Sequence, residues 1–125
     1  MKQKQGSGWR LAEDLSRGHF PYLLGGDMWA IEITHSEWVV LVPLILKVVD
    51  EYEKLKSQLL PEETICLEFS SGSWFICIDG DAIEWSLQLI LQNSSESRSF
   101  EAFWPVITAH DFFNAMKIMW ESTSS

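Results

Sequence analysis

Positive charge is scarce in this chain: nine Lys and Arg stand against eighteen Asp and Glu among 125 residues, a formal charge of −9. That balance repels a phosphate backbone, so nucleic-acid binding starts at a disadvantage. The acidic residues are not gathered into a tail, which sets aside an acidic activation segment. Two cysteines, Cys66 and Cys77, are too few for a disulfide framework or a structural zinc set. His19, His35 and His110 show no ligand spacing to one another or to cysteine. No G-x-S-x-G, H-E-x-x-H or P-loop pattern occurs, and Gly6-Ser7-Gly8 precedes a predicted strand where a dinucleotide fingerprint would follow one. No catalytic residue, cofactor or metal ligand is therefore expected. Asp79-Gly80-Asp81 lacks the other ligands of an EF-hand loop and reads as a hairpin turn. The uncharged run from Trp38 to Leu46 falls short of the roughly 20 apolar residues that span a bilayer. The N-terminus, MKQKQGSGWRLAED, has neither an apolar segment nor a cleavage pattern, so a cytoplasmic location is expected.

What the chain does have is one long apolar stretch, Thr34 to Leu60. Thr34 with Glu37 three residues on matches a capping box, in which hydroxyl and carboxylate satisfy orphan N–H groups at a helix start. Trp38, Leu41, Ile45, Val48, Tyr52, Leu55 and Leu59 follow as a seam at helical spacing. Val39, Val40, Val42, Leu44, Leu46 and Val49 lie off that seam, which makes the first half apolar nearly all round. One small sheet cannot surround such a helix, so the sequence predicts a homodimer through Trp38, Leu41, Leu44, Ile45, Val48 and Tyr52. Pro43 inside the pattern predicts a kink.

Before the helix, Trp9–Asp14, Phe20–Leu24 and Met28–Ile33 read as short strands divided by turn-like clusters. After Pro61 the apolar period becomes two. Ile65, Leu67 and Phe69, then Trp74, Ile76 and Ile78, then Ile83, Trp85, Leu87 and Leu89 alternate with smaller or polar residues. Two-residue loops at Ser71-Gly72 and Gly80-Asp81 would put every large apolar residue on one face. They would also set Cys66 directly opposite Cys77 on the other face. A redox switch is the sharper reading of that pair; a reduced pair of small apolar side chains is the one adopted. A fourth strand, Ser99–Trp104, ends at Pro105. Thr108 and Asp111 repeat the capping-box spacing before a shorter helix through Phe112, Ala115, Met116, Met119 and Trp120. Seven tryptophans read as core and interface anchors. The expected fold is thus α+β, antiparallel meander strands followed by a helix, twice. A single domain spans 1–125, with 1–7 and 121–125 flexible.

Gly6-Ser7-Gly8-Trp9-Arg10-Leu11, Gly25-Gly26-Asp27-Met28-Trp29-Ala30, Gly80 followed by Trp85-Ser86-Leu87, and Arg98 followed by Glu101 and Trp104-Pro105 resemble a family of short cyanobacterial proteins, a domain of unknown function. The likeness covers nearly the whole chain. Through that family the chain resembles, in fold, the single-stranded-DNA-binding domain of the plant Whirly proteins and of the transcriptional coactivator positive cofactor four. The resemblance implies a curved antiparallel sheet followed by a helix, used in pairs. The lysine-containing KGKAAL segment of Whirly proteins has no counterpart here, and the positive residues are scattered.

The sheet face opposite the tryptophans is the candidate interaction face: Glu68, Phe75, Glu84, Ser86, Gln88, Glu101 and Phe103, with Phe75 and Phe103 flanking Ser86. Two aromatics among carboxylates suit a protein or a flat neutral ligand better than phosphates. The sequence therefore predicts a non-enzymatic, homodimeric cytosolic interaction or regulatory module with an unknown protein partner and no membrane contact. One alternative is single-stranded nucleic-acid binding through stacking aromatics such as Phe75, Phe103 or Trp9. The other is a pocket for a small apolar or aromatic ligand between sheet and helix.

Overall fold

A computed structural model describes residues 1–123, with Ser124 and Ser125 outside the described residues. Strands β1 (Lys2–Gly6), β2 (Trp9–Glu13), β3 (Tyr22–Gly25) and β4 (Ala30–Ile33) form an antiparallel sheet in chain order. Helix α1 (His35–Lys56) follows. A second antiparallel sheet holds β5 (Ile65–Ser71), β6 (Trp74–Gly80), β7 (Trp85–Asn93) and β8 (Arg98–Trp104), and helix α2 (Val106–Thr123) ends the chain. This is the α+β plan of strands then helix, twice. Among the described residues no helix is long and apolar enough to cross a membrane.

The capping box at α1 is present in both halves: the Glu37 amide donates to Thr34 Oγ1 at 3.1 Å, and the Thr34 amide donates to Glu37 Oε1 at 2.8 Å. The helix runs through Pro43, whose ring is on the exposed side, and ends at Lys56, short of Leu60. The six residues expected at a dimer interface are placed differently. Trp38, Leu41, Leu44, Ile45, Val48 and Tyr52 are all buried within the single chain. The helix packs on β5 and β6 and also meets α2, while Trp38 stacks on Tyr22 of β3 at 4.3 Å. Strands β5 and β6 and helix α2, with Tyr22 of β3 at the helix start, thus cover these six residues inside the single chain, while Val39 and Leu55 stay exposed.

Residues 1–7, expected to be flexible, include strand β1. Lys2–Gly6 pairs with β2 along its length, and Trp9 tucks beneath Gly6, where an added Cβ would meet the indole Nε1 at 2.4 Å. Nothing in the polar run KQKQ signals a strand, because the backbone ladder rather than side-chain burial holds it. Glu121 to Thr123 likewise continue α2. That helix starts at Val106, two residues before the predicted cap; Thr108 Oγ1 donates to the Pro105 carbonyl at 3.2 Å instead of capping.

The second sheet has the expected strands and faces but a different register. Its first loop is Gly72-Ser73, so Ser71 faces Trp74 and Phe69 faces Ile76. The second loop has four residues, Asp81 to Glu84, with Gly80 opposite Trp85. Asp81 Oδ1 closes it by accepting from the amides of Ile83 and Glu84 at 2.8 and 2.9 Å. Ile83, expected in the strand, lies in this turn and is 82% exposed. Each slip is an even number of residues, so every apolar side chain that stays in a strand keeps its face.

One continuous core joins the halves, with Leu11, Tyr22 and Leu24 of the first sheet beside Ile76, Leu87 and Trp104 of the second. All seven tryptophans are buried in it or packed against it. Trp104 stacks on Phe112 at 3.9 Å, while its Nε1 donates to the Gly25 carbonyl at 3.0 Å. The indoles thus fill much of the space between sheets and helices.

Candidate functional site: the outer face of the second sheet

Strands β5 to β8 bury Trp74, Ile76, Ile78, Leu87, Leu89, Leu91, Ala102 and Trp104 on one side. Period two then turns the intervening residues outward. The register arranges them in rows across the strands. Cys66, Asp79 and Ser86 form one; Glu68, Cys77, Gln88 and Phe103 the next; Ser70, Phe75, Ile90 and Glu101 the third. All are at least partly exposed except Cys77, and Phe103 is 52% exposed.

Six of the seven residues predicted for this face are brought together on it: Glu68, Phe75, Ser86, Gln88, Glu101 and Phe103. Glu84 is the exception, because it lies in the β6–β7 turn, where its carbonyl accepts from the Asp81 amide. The slipped register also moves the aromatics. Phe75 and Phe103 do not flank Ser86; Gln88 and Ile90 lie between them, and Ser86 stands beside Asp79. Asp79 and Ile90 belong to the face and were not foreseen. Their alternation with Phe75 and Cys77, and with Ser86 and Gln88, was the signal that would have found them.

Electrostatically the face is one-signed. Glu68, Asp79 and Glu101 lie on its three rows and no Lys or Arg does. The two cysteines are not directly opposite each other, as the two-residue loop had implied. Cys66 faces Asp79 and Cys77 faces Glu68, and the two Sγ atoms meet on the diagonal at 3.1 Å. Both thiols are free.

A second polar cluster is structural. Glu37, 5% exposed, accepts from Arg98 Nη1 through both carboxylate oxygens, at 2.5 and 2.6 Å, and from Asn93 Nδ2 at 2.8 Å. Arg98 also donates to the Glu32 carbonyl and covers the Phe20 ring at 4.8 Å. Burial alone would raise the Glu37 pKa, but hydrogen bonds from Thr34, Arg98 and Asn93 and the Arg98 charge outweigh it and hold the carboxyl below its ordinary value. The buried charge is fully paired, so it presents nothing to a substrate.

Comparison with known proteins agrees with the resemblance read from the glycine and tryptophan positions. No functionally curated protein matches the chain. A crystal structure at 1.80 Å of a protein of unknown function from Prochlorococcus sp. NATL2A, described as of the DUF155 family, is 40% identical, with a TM-score of 0.91 over 96% of this chain and 99% of that one. The family described as "Domain of unknown function (DUF1818)" matches residues 4–119, so the chain belongs to that family.

Proposed function

We propose that the protein is a non-enzymatic interaction module whose outer face on the second sheet docks a basic segment of a partner protein. The observation that carries this reading is the combination on one uncovered sheet face of Glu68, Asp79 and Glu101 with Phe75, Ile90 and Phe103, and no cation among them. Carboxylates steer a cationic chain to the face, and the aromatic and aliphatic groups between them give it apolar surface to cover. The same charges oppose a phosphate backbone, which weighs against single-stranded nucleic-acid binding at this face. Dimerisation through α1 is no part of the reading, since its seam is used inside the chain.

The test is fluorescence anisotropy of a labelled peptide of alternating Arg and Trp, against a labelled oligothymidylate. The peptide should bind, lose affinity steeply as salt rises, and bind at least tenfold more weakly to Glu101→Lys and to Phe103→Ala. Peptide binding that neither substitution changes, or oligothymidylate binding that displaces the peptide, would overturn the reading.

A further inference from the structure

At the corner of the second sheet, edge strand β5 and its neighbour β6 place four ligand-type side chains in a square. Cys66 is opposite Asp79 and Glu68 is opposite Cys77, so thiols occupy one diagonal and carboxylates the other. Cys66 Sγ lies 3.1 Å from Cys77 Sγ and 3.9 Å from Glu68 Oε1, and Cys77 Sγ lies 3.9 Å from Asp79 Oδ2. One ligand atom each from Cys66, Cys77 and Asp79 falls within 4.8 Å of the others. Cys66 is open to solution, whereas Cys77 is only 7% exposed with its sulfur turned into the square.

From this geometry we propose that Cys66, Cys77 and Asp79, with Glu68 within reach, form a binding site for a thiophilic divalent cation of the Zn2+ type. Zinc accepts both thiolate and carboxylate, at about 2.3 Å and about 2.0–2.2 Å, in tetrahedral sites. Two zinc-bound sulfurs then sit about 3.8 Å apart, so the observed pair has to open by less than about an ångström. Side-chain rotation at an edge strand supplies that. Calcium and magnesium require oxygen ligands and are poorly served by two sulfurs. The charge pattern points the same way, since Glu68 and Asp79 put carboxylates beside both thiols and no Lys or Arg lies on their rows. A square that crowds anions around two thiols is relieved by a cation at its centre.

The rival use of the pair is a disulfide. Diagonal positions on antiparallel strands are about 7–8 Å apart, beyond the Cα separation of about 4.4–6.8 Å that disulfides adopt. The register that sets the two cysteine backbones on a diagonal brings a carboxylate beside each thiol, which serves a metal and hinders a disulfide. This inference stands without the docking reading above, because it needs no partner.

The experiment uses the untagged, reduced chain, titrated with Zn2+ against a chromophoric chelator, with stoichiometry from native mass spectrometry. Co2+ serves as the spectroscopic probe. One Zn2+ per chain is expected, and Co2+ should give thiolate charge-transfer bands. Cys66→Ser and Cys77→Ser should each weaken binding at least a hundredfold and Asp79→Asn about tenfold, while His19→Ala changes nothing. Near-UV circular dichroism of the tryptophans reports folding. Should Cys77→Ser fail to fold, the exposed Cys66→Ser and Asp79→Asn decide. No zinc retained, zinc retained equally by Cys66→Ser, or a reduced chain that ignores zinc but loses two hydrogens on exposure to a small-molecule disulfide would each overturn the site.

Discussion

Glu37 accepts from Thr34, Asn93 and Arg98 through its carboxylate, and its backbone carbonyl accepts from Trp74 Nε1 at 2.9 Å. One residue of α1 thereby ties β6, β7 and β8 to the helix start. Removing its cationic partner strands a charge in the interior, which costs about 3–5 kcal/mol. Arg98→Met should therefore lower stability in urea unfolding by about that much, and Glu37→Gln should be the milder change, because Gln still accepts and strands no anion. The carboxyl is held below its ordinary value in the fold, so its contribution is full above about pH 4.3 and is lost as pH falls through the depressed value. Acid unfolding of the wild type followed by tryptophan fluorescence should show that loss, and Glu37→Gln should flatten it. At Gly80 the constraint is steric. A Cβ there would meet Tyr52 Cε1 at 2.5 Å and the Glu84 carbonyl at 3.0 Å. Tyr52 cannot retreat easily, since its hydroxyl donates to the Asp81 and Glu84 carbonyls. Gly80→Ala should cost about 1–3 kcal/mol, read in the same unfolding experiment.

At the scale of elements, α1 shows what periodicity can and cannot say. Its seam, its capping box and its apolar surplus were legible in the residues from Thr34 to Tyr52. Whose surface covers the seam was not, because that depends on how the second sheet and α2 pack on the helix, with Tyr22 meeting Trp38 at its start. If the seam belongs to the chain's own core, Leu41→Ala should cost about 2–5 kcal/mol, and Val39→Ala, at a half-exposed position, about 0.5 or less. The urea midpoint of the wild type should not move with protein concentration, whereas a dimer seam would shift it. The second sheet teaches a related lesson. Alternation from Ile65 to Leu89 identified the strands and their faces, and even-numbered slips left those faces intact. Register was hidden because it is set by loop chemistry. The Asp81 carboxylate caps the amides of Ile83 and Glu84, which turns a predicted two-residue loop into one of four. The strand Lys2–Gly6 was invisible for another reason, since a polar edge strand held by its ladder has no apolar signature.

Across the whole molecule, a formal charge of −9 and a single core built from both halves leave the outer sheet face as the surface with a distinct character. Most of that face was legible: Glu68, Phe75, Ser86, Gln88, Glu101 and Phe103 share it as alternation requires. Asp79 and Ile90 share it by the same alternation, whereas the thiol–carboxylate square depended on the register and was not legible. The relative from Prochlorococcus has the same fold at 40% identity, so the arrangement of strands that creates the face extends beyond this chain. The central claim, that this face is where the protein makes its contacts, is tested most directly by titrating the 15N-labelled chain with the Arg-Trp peptide and following backbone amide shifts. The account predicts perturbations clustered at Phe75, Gln88, Ile90, Glu101 and Phe103, fading as salt is raised. Perturbations gathered instead along the exposed strip of α1 from Val39 to Lys47, or absent from the second sheet altogether, would contradict it.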